Sequence, residues 1–440
     1  KLLDSISEKV NGNGRIVHEM SSNGAVFNPG NINETPQFAS LVWQVYRWNG
    51  DAAFLKKYFP TVQKGLQWLS TEKDSDKNGF PNGFGMMEVH GLDSEMIDVA
   101  AYTQKAYADA SKMAAALGKD EIAETYAKKA KTLKHVINER FWSEDFQSYG
   151  DFLGTGAQAL RLIGNAITRA DTLKKPWSVS ELKSLRAAIL KNPSPQVRPF
   201  VLHHNWVVNT PMEVGLATPK KAKKALKTAS KYTNPFGVFV TGIDRDETAG
   251  TSTGSFKGSQ TFSYTGAVMT LPTGVLIVAE NNYGDPNRAL EYLQRMTRSF
   301  SYALPGSMYE VSPDYGMVTQ AWNIYGYAVP IVTQFFGVQP NAGKKTVAIA
   351  PQMPSAWNEA ALENVVVANN TVSVFYKKTG GKTSIKIEQA ASGWELQFKF
   401  PKAENSTFKV VSGTGNPVED DGFYRFSSTQ KSFTVEITER

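Results

Sequence analysis

Over roughly the first three quarters of the chain, hydrophobic residues recur at intervals of three and four, the period of helices that bury one face. Phe38, Leu41, Val42, Val45 and Trp48 mark one such face, and Asn49-Gly50-Asp51 then stops that helix and caps the next. Phe54, Leu55, Tyr58, Val62, Leu66 and Leu69 mark the second. A third helix is expected from about Ser94 to Leu117 and a fourth from about Asp120 to Phe141, with Gly118 between them. The same spacing predicts helices over about 181–191, 219–231, 264–280, 286–300 and 317–336. Thr218-Pro219 and Asp285-Pro286 each place a cap before a proline at the first helical position, and Gly337 closes the last helix.

Helical hairpins that follow one another without strands leave three architectures: a bundle, an α-solenoid or a closed α/α barrel. No repeat of roughly 34 to 45 residues is visible, which speaks against the solenoid. Long loops rich in glycine, asparagine and aromatics, such as 23–37, 74–93, 234–264 and 301–315, suit one rim of a barrel. Near Pro340 the period changes to two. Val365–Val367, Thr371–Tyr376, Ser384–Ile387, Trp394–Phe400 and Ser432–Ile437 read as strands, separated by Asn369-Asn370, Gly380-Gly381 and Ser392-Gly393 turns. The expected fold class is mainly α, a closed helical barrel over 1–338 followed by a small C-terminal β-sandwich over 339–440.

Composition narrows the chemistry. The chain has 440 residues, 41% of them hydrophobic, and no run of about 18 apolar residues that would span a membrane. Cysteine is absent, so thiol nucleophiles, thiolate zinc sites and disulfides are excluded. The net charge of +7 is dispersed; its densest stretch, Lys220–Lys227, reads as the solvated face of an outer helix, and no nucleic-acid motif accompanies it. Chemistry is left to carboxylates, hydroxyls, five histidines or a bound ion.

Two loops carry carboxylates among aromatic and glycine neighbours. Phe84-Gly85-Met86-Met87-Glu88 precedes the third helix, where desolvation would raise the pKa of Glu88 and suit it to a general acid. Ser307-Met308-Tyr309-Glu310-Val311 precedes Gln320-Ala321-Trp322, which sets Glu310 beside rings that can stack on sugars. Paired carboxylates across a pocket are what glycosidic cleavage requires. Asp74-Ser75-Asp76-Lys77-Asn78-Gly79 resembles the first half of an EF-hand loop, making Asp74, Asp76 and Asn78 candidate calcium ligands, with an Asx-rich turn as the other reading. No other cofactor is expected.

Gly14-Arg15-Ile16-Val17-His18-Glu19 and Asn33-Glu34-Thr35-Pro36-Gln37-Phe38 resemble the barrel entry of the six-hairpin glycosidases, in particular amylo-alpha-1,6-glucosidase (glycogen debranching) domains. The resemblance continues through Gly85–Glu88, Ile97–Tyr102, Tyr264–Val268, Ser307–Val311 and Gln320–Trp322, and Val347–Pro354 with the β domain looks like the end of alpha-L-rhamnosidases. It implies an (α/α)6 toroid and inversion by single displacement, with Glu88 as acid and Glu310 as base; Asp93 and Asp98 compete for the acid role. His18, Glu34, Gln37, Asp98, Trp206, Tyr264 and Trp322 are the candidate sugar contacts.

The leading expectation is an inverting exo-acting hydrolase of an alpha-linked glucoside or related sugar. An alpha-L-rhamnosidase-like hydrolase is the near alternative; a polysaccharide lyase and a non-catalytic carbohydrate-binding protein are the others. The expected partner is an oligosaccharide or polysaccharide, and the expected location periplasmic or secreted. A six-hairpin barrel needs twelve helices, and ten or eleven are legible, so Lys1 is expected to fall inside the first hairpin of a longer protein with an N-terminal portion of its own.

Overall fold

The computed structural model describes residues 2–10, 12–83, 85–86, 94–193, 195–242, 245, 266–301, 304–311, 316–320, 323–415 and 417–439. The first helices are α1 (Leu2–Glu8), α2 (Glu34–Asn49), α3 (Ala52–Thr71), α4 (Ile97–Ala116), α5 (Asp120–Arg140), α6 (Gly156–Thr172) and α7 (Pro176–Lys191). They are followed by α8 (Asn205–Val208), α9 (Thr210–Glu213), α10 (Pro219–Ala229), α11 (Thr270–Asn282), α12 (Pro286–Met296) and α13 (Asn323–Ala328).

Burial sorts the helices into two rings. Helices α4 and α11 bury most of their residues, polar Asp98, Thr103, Asp109, Thr273 and Asn281 included, as inner helices must, and reach solvent chiefly at their C-terminal ends. Helices α5, α10 and α12 bury one stripe each: Ala123, Ala130, Leu133 and Ile137; Ala222, Ala225, Leu226 and Ala229; Ala289, Leu290, Leu293 and Met296. Inside, α2 packs on α4, α4 on α8 and α9, these on α11, and α11 on α13. Gly274 of α11 and Gly326 of α13 touch backbone to backbone; a Cβ on Gly274 would lie 2.5 Å from the Gly326 Cα. The α6–α7 hairpin joins through a three-stranded sheet of Glu95–Met96, Phe152–Gly154 and Arg198–Phe200. The architecture is an (α/α)6 toroid followed by a β-sandwich.

Local chemistry accounts for most helix ends. Gly50 adopts φ 65° after α2, and the Asp51 carboxylate accepts the Ala53 and Phe54 N–H groups at 2.8 and 3.2 Å. Asp285 caps α12 on the Arg288 N–H at 2.9 Å. Two expected helices are corrected. The one foreseen over 264–280 begins only at Thr270, because Val268–Met269 are drawn into a sheet with Gly237–Phe239. The one foreseen over 317–336 is α13 continued as π-helix over Val329–Phe335, where Pro330 lacks the N–H of a regular turn.

The C-terminal sandwich packs two five-stranded sheets. One runs in the order Val338–Asn341, Thr346–Ile349, Glu395–Pro401, Phe423–Ser428 and Val418–Asp420, with the second and third strands parallel. The other is antiparallel throughout, in the order Glu359–Val367, Asn370–Thr379, Lys382–Gln389, Ser432–Glu439 and Ser406–Ser412. Alternate residues Val372, Val374 and Tyr376, Ile385 and Ile387, and Phe433, Val435 and Ile437 meet Val347, Leu396, Phe398 and Phe426 in its core. Arg47 ties this unit to the toroid, its Nε donating to the Pro340 carbonyl at 3.1 Å.

Candidate active site

The inner helices of a toroid run in parallel, so their N-termini share one rim, and among the described candidates Glu34, Asp98 and the backbone of Glu310 lie at the N-termini of α2, α4 and α11. Asn33, the last residue before α2, donates its side-chain amide to Asp98 Oδ2 in the first turn of α4. The same oxygen accepts the Met86 N–H at 2.7 Å. Asp98 is fully buried, and burial pushes its pKa above the ordinary carboxylate range against the pull of these donors. Gly85 is required beside it: a Cβ there would lie 2.2 Å from Asp98 Oδ2. Asp98 therefore grips the loop that leads to Glu88. On the same wall Glu34 pairs with His18 Nδ1, while its buried Oε2 accepts no hydrogen bond among the described residues.

The second wall is the segment that presents Glu310, which is half-buried. Its N–H donates to the Met317 carbonyl at 3.0 Å, and its carbonyl accepts the Thr270 N–H of α11 at 3.1 Å. Val311 bridges to Met269. From α13, the Asn323 amide donates to the Met308 and Tyr309 carbonyls, both at 3.2 Å, and its Oδ1 accepts the Thr270 hydroxyl. Two inner helices thus fix the backbone on either side of Glu310. Nearby Gln320 is buried with neither amide atom hydrogen-bonded among the described residues, which leaves both its donor and its acceptor available.

Between the walls, three inner helices meet at a carboxylate that the sequence reading missed. Glu213 of α9 accepts the Tyr102 hydroxyl of α4 at 2.8 Å and the Tyr325 hydroxyl of α13 at 2.6 Å. Helices α4 and α13 are not close-packed neighbours, so these side chains reach towards each other across the interior of the ring. All three are enclosed by protein yet keep some accessible surface. Burial raises the Glu213 pKa against the two phenol donors, and lifts both phenols well above their ordinary value. Asp151, also missed, is fully buried; its carboxylate accepts the Leu202 and His204 N–H groups ahead of α8, and burial pushes its pKa up to about 7. Neither residue has a neighbouring motif that announces it, because their partners come from more than 50 residues away.

The remaining candidates scatter. Gln37 is exposed on α2, and Trp206 is half-buried on α8. Glu88, its competitor Asp93, Tyr264 and Trp322 lie outside the described residues. Asp74, Asp76 and Asn78 form an Asx-rich turn in which Asp74 accepts the Gly79 N–H at 2.9 Å. No helix among the described residues is long and apolar enough to cross a membrane.

Residues 2–176 match the family model of the bacterial alpha-L-rhamnosidase six-hairpin glycosidase domain. The fold is that of the six-hairpin glycosidases. Among solved structures, alpha-L-rhamnosidase from Dictyoglumus thermophilum is 13% identical at a TM-score of 0.60, over 99% of this chain and 43% of that one. Streptomyces avermitilis alpha-L-rhamnosidase complexed with L-rhamnose is 14% identical at 0.56, over 99% and 36%. The alpha-L-rhamnosidase from Aspergillus terreus is 11% identical at 0.54, over 99% and 42%. The chain thus spans about two fifths of the length of these structures. No curated protein matches its sequence. The matches over 99% of the chain take in the sandwich as well as the toroid, in keeping with the resemblance read from both parts of the sequence.

Proposed function

We propose that this chain carries the catalytic toroid of an inverting, exo-acting glycoside hydrolase. Glu88 gives its proton to the glycosidic oxygen as the C–O bond to the anomeric carbon breaks. Glu310 takes a proton from the water that attacks that carbon from the opposite face, and the product leaves with inverted configuration. The observation that carries this reading is the bracing of the Glu310 segment by Thr270 and Asn323, from two inner helices, alongside the grip of Asp98 on Met86 in the approach to Glu88. Such fixation is what a base needs to hold one geometry through turnover.

In this reading Asp98 and Asp151 are positioning residues, each buried and spent on backbone N–H groups, whereas His18, Glu34, Gln37, Trp206, Tyr264 and Trp322 remain the sugar contacts. Between the two sugars considered, the family matched by residues 2–176 favours an alpha-L-rhamnoside over an alpha-glucoside.

A screen of aryl glycosides, with proton NMR of the first-formed anomer, tests sugar and stereochemistry together. Inverted product, lost in Glu310→Gln and Glu88→Gln with folding retained, is the expected result; retained configuration, or near-normal turnover in either variant, defeats it. If Glu88→Gln stays active while Asp93→Asn does not, the acid is Asp93.

A further inference from the structure

A cavity of about 550 Å³ opens between the α5–α6 loop, one face of α7, the residues ahead of α8 and the end of α10. That is the size of a small-molecule pocket, and none of the proposed sugar contacts lines it. Phe146, His203 and Tyr232 stand together in its wall. Phe146 is 37% exposed and meets the His203 ring edge-on at 5.7 Å, and His203 lies against Tyr232 at 4.7 Å. The backbone of His203 is left-handed, at φ 55°. It is pinned there, because the Asp151 carboxylate accepts the Leu202 and His204 N–H groups on either side and the His203 carbonyl accepts the Gly242 N–H at 2.7 Å. Strain held in this way is a feature of ligand clamps. Neither imidazole nitrogen of His203 is hydrogen-bonded among the described residues. Burial pushes its pKa down to about 4, so the ring is neutral and offers one donor and one acceptor.

The charges around the cavity balance. Asp145 and Lys231 offset one another, and Glu181 takes both terminal nitrogens of Arg245, at 3.0 and 2.7 Å, while that guanidinium lies over the Tyr232 ring at 5.6 Å. A phosphate, a uronate or an ammonium ion would find no unspent counter-charge here to repay its desolvation. An exposed aromatic ring, an unengaged neutral imidazole and the Ser180 and Ser184 hydroxyls suit a neutral ligand with one apolar and one hydroxylated side. We propose that this cavity is a second carbohydrate site, in which a neutral pyranose packs its C–H face on Phe146 and hydrogen-bonds the His203 imidazole. The choice of a sugar among neutral amphipathic ligands rests on the hydrolase reading. The site's place gives it a role. Phe146 follows the outer helix α5, Tyr232 follows the outer helix α10, and His203 leads into the inner helix α8, so the cavity lies on the rim where the inner helices begin. A sugar held there belongs to a longer chain, which makes the substrate a polysaccharide.

The chain has five histidines, so their ring signals can be followed one by one by NMR. Those of His203 are assigned by their loss in His203→Asn, since asparagine tolerates the left-handed backbone. The full chain is titrated with methyl α-L-rhamnopyranoside and methyl α-D-glucopyranoside, and with D-galacturonate and benzyl alcohol as charged and apolar comparisons. The expected result is a saturable shift of the His203 signals with a neutral glycoside, at lower concentration than with galacturonate. Phe146→Ala, which removes an exposed ring, is expected to weaken that response about tenfold. His203 signals that neither glycoside moves, that only benzyl alcohol or galacturonate moves, or whose response Phe146→Ala leaves unchanged, overturn the site. Hydrolysis of aryl glycosides beside a silent His203 defeats this site alone. A responsive His203 in a chain that hydrolyses none of them supports the site and counts against the hydrolase reading.

Discussion

The side-chain amide of Asn33 donates to the fully buried carboxylate of Asp98, joining the start of one inner helix to the first turn of the next. Asp98 spends the same oxygen on the Met86 N–H, so one carboxylate fixes both the rim and the approach to the Glu88 loop. Removing the amide leaves a buried acceptor short of a donor, which costs about 1–3 kcal/mol. Asn33→Ala is therefore expected to lower the denaturation midpoint by that amount and to reduce kcat more than it raises KM. Unchanged stability on chemical denaturation would show that Asp98 finds another donor.

Buried carboxylates also set the pH response of stability. Asp151 is pushed by burial from 3.8 up to about 7, and Glu280, buried and beside Asp285, from 4.5 to about 8. A raised carboxylate keeps its proton in the folded state where the unfolded chain has lost it, so the fold binds more protons and stability falls as pH rises through that window. From about pH 4 to 8 these two groups are expected to lower Tm progressively. Asp151→Asn should remove about half of the slope below about pH 7, leaving the share of Glu280, and Glu280→Gln should remove the other half together with the part that reaches 8. Thermal unfolding of both variants across this range checks the sign; a slope that survives both substitutions places its origin elsewhere.

Much of this molecule is legible from pattern alone. The face at Phe54–Leu69 and the strands of the sandwich needed only period and turn residues, because one-sided burial writes itself into the sequence. On α2 the buried face is rotated from the expected one: Leu41 is exposed, and Ala39, Trp43 and Tyr46 join Phe38 and Val42 in the core. Helix α6 was passed over, although its capping box, Thr155 with Gln158, is a readable signal. Pairing of Val268–Met269 with Gly237–Phe239 could not be read, since it depends on a partner strand about 30 residues away whose own sequence is too short to announce itself. The site divides in the same way. Glu310 and Asp98 sit in motifs, whereas Glu213 matters only through Tyr102 and Tyr325, which lie 111 and 112 residues from it.

Those two phenols share one carboxylate, and their contributions should not add. Tyr102→Phe and Tyr325→Phe each remove one donor from Glu213, at about 1.5–3 kcal/mol for a bond to a charged group. In the double variant the carboxylate has lost both partners, so a coupling energy of at least about 0.5 kcal/mol is expected. A double-mutant cycle on unfolding free energies measures it, and simple additivity would mean that Glu213 is protonated or otherwise satisfied.

The contact of Gly274 with Gly326 leaves no room for a methyl group, since a Cβ on either would fall within 2.7 Å of the other's Cα. Gly274→Ala must push α11 and α13 apart, at about 1–3 kcal/mol for overpacking. Wild-type stability in this variant would show that the two helices can separate freely.

The helices in that contact carry Thr270 and Asn323, which hold the Glu310 backbone, so their anchors can be tested without disturbing the packing. Asn323→Ala deletes the donor to the Met308 and Tyr309 carbonyls and the acceptor of the Thr270 hydroxyl. If Glu310 is the base, its misplacement by even about an ångström should lower kcat by about a hundredfold with KM nearly unchanged. Asn323→Asp keeps the oxygen for Thr270 but loses the amide donor, and should fall between. A structural role alone would instead lower Tm in both variants and leave the kcat of the folded fraction intact, so kcat per active site, measured beside the unfolding curve, separates the two.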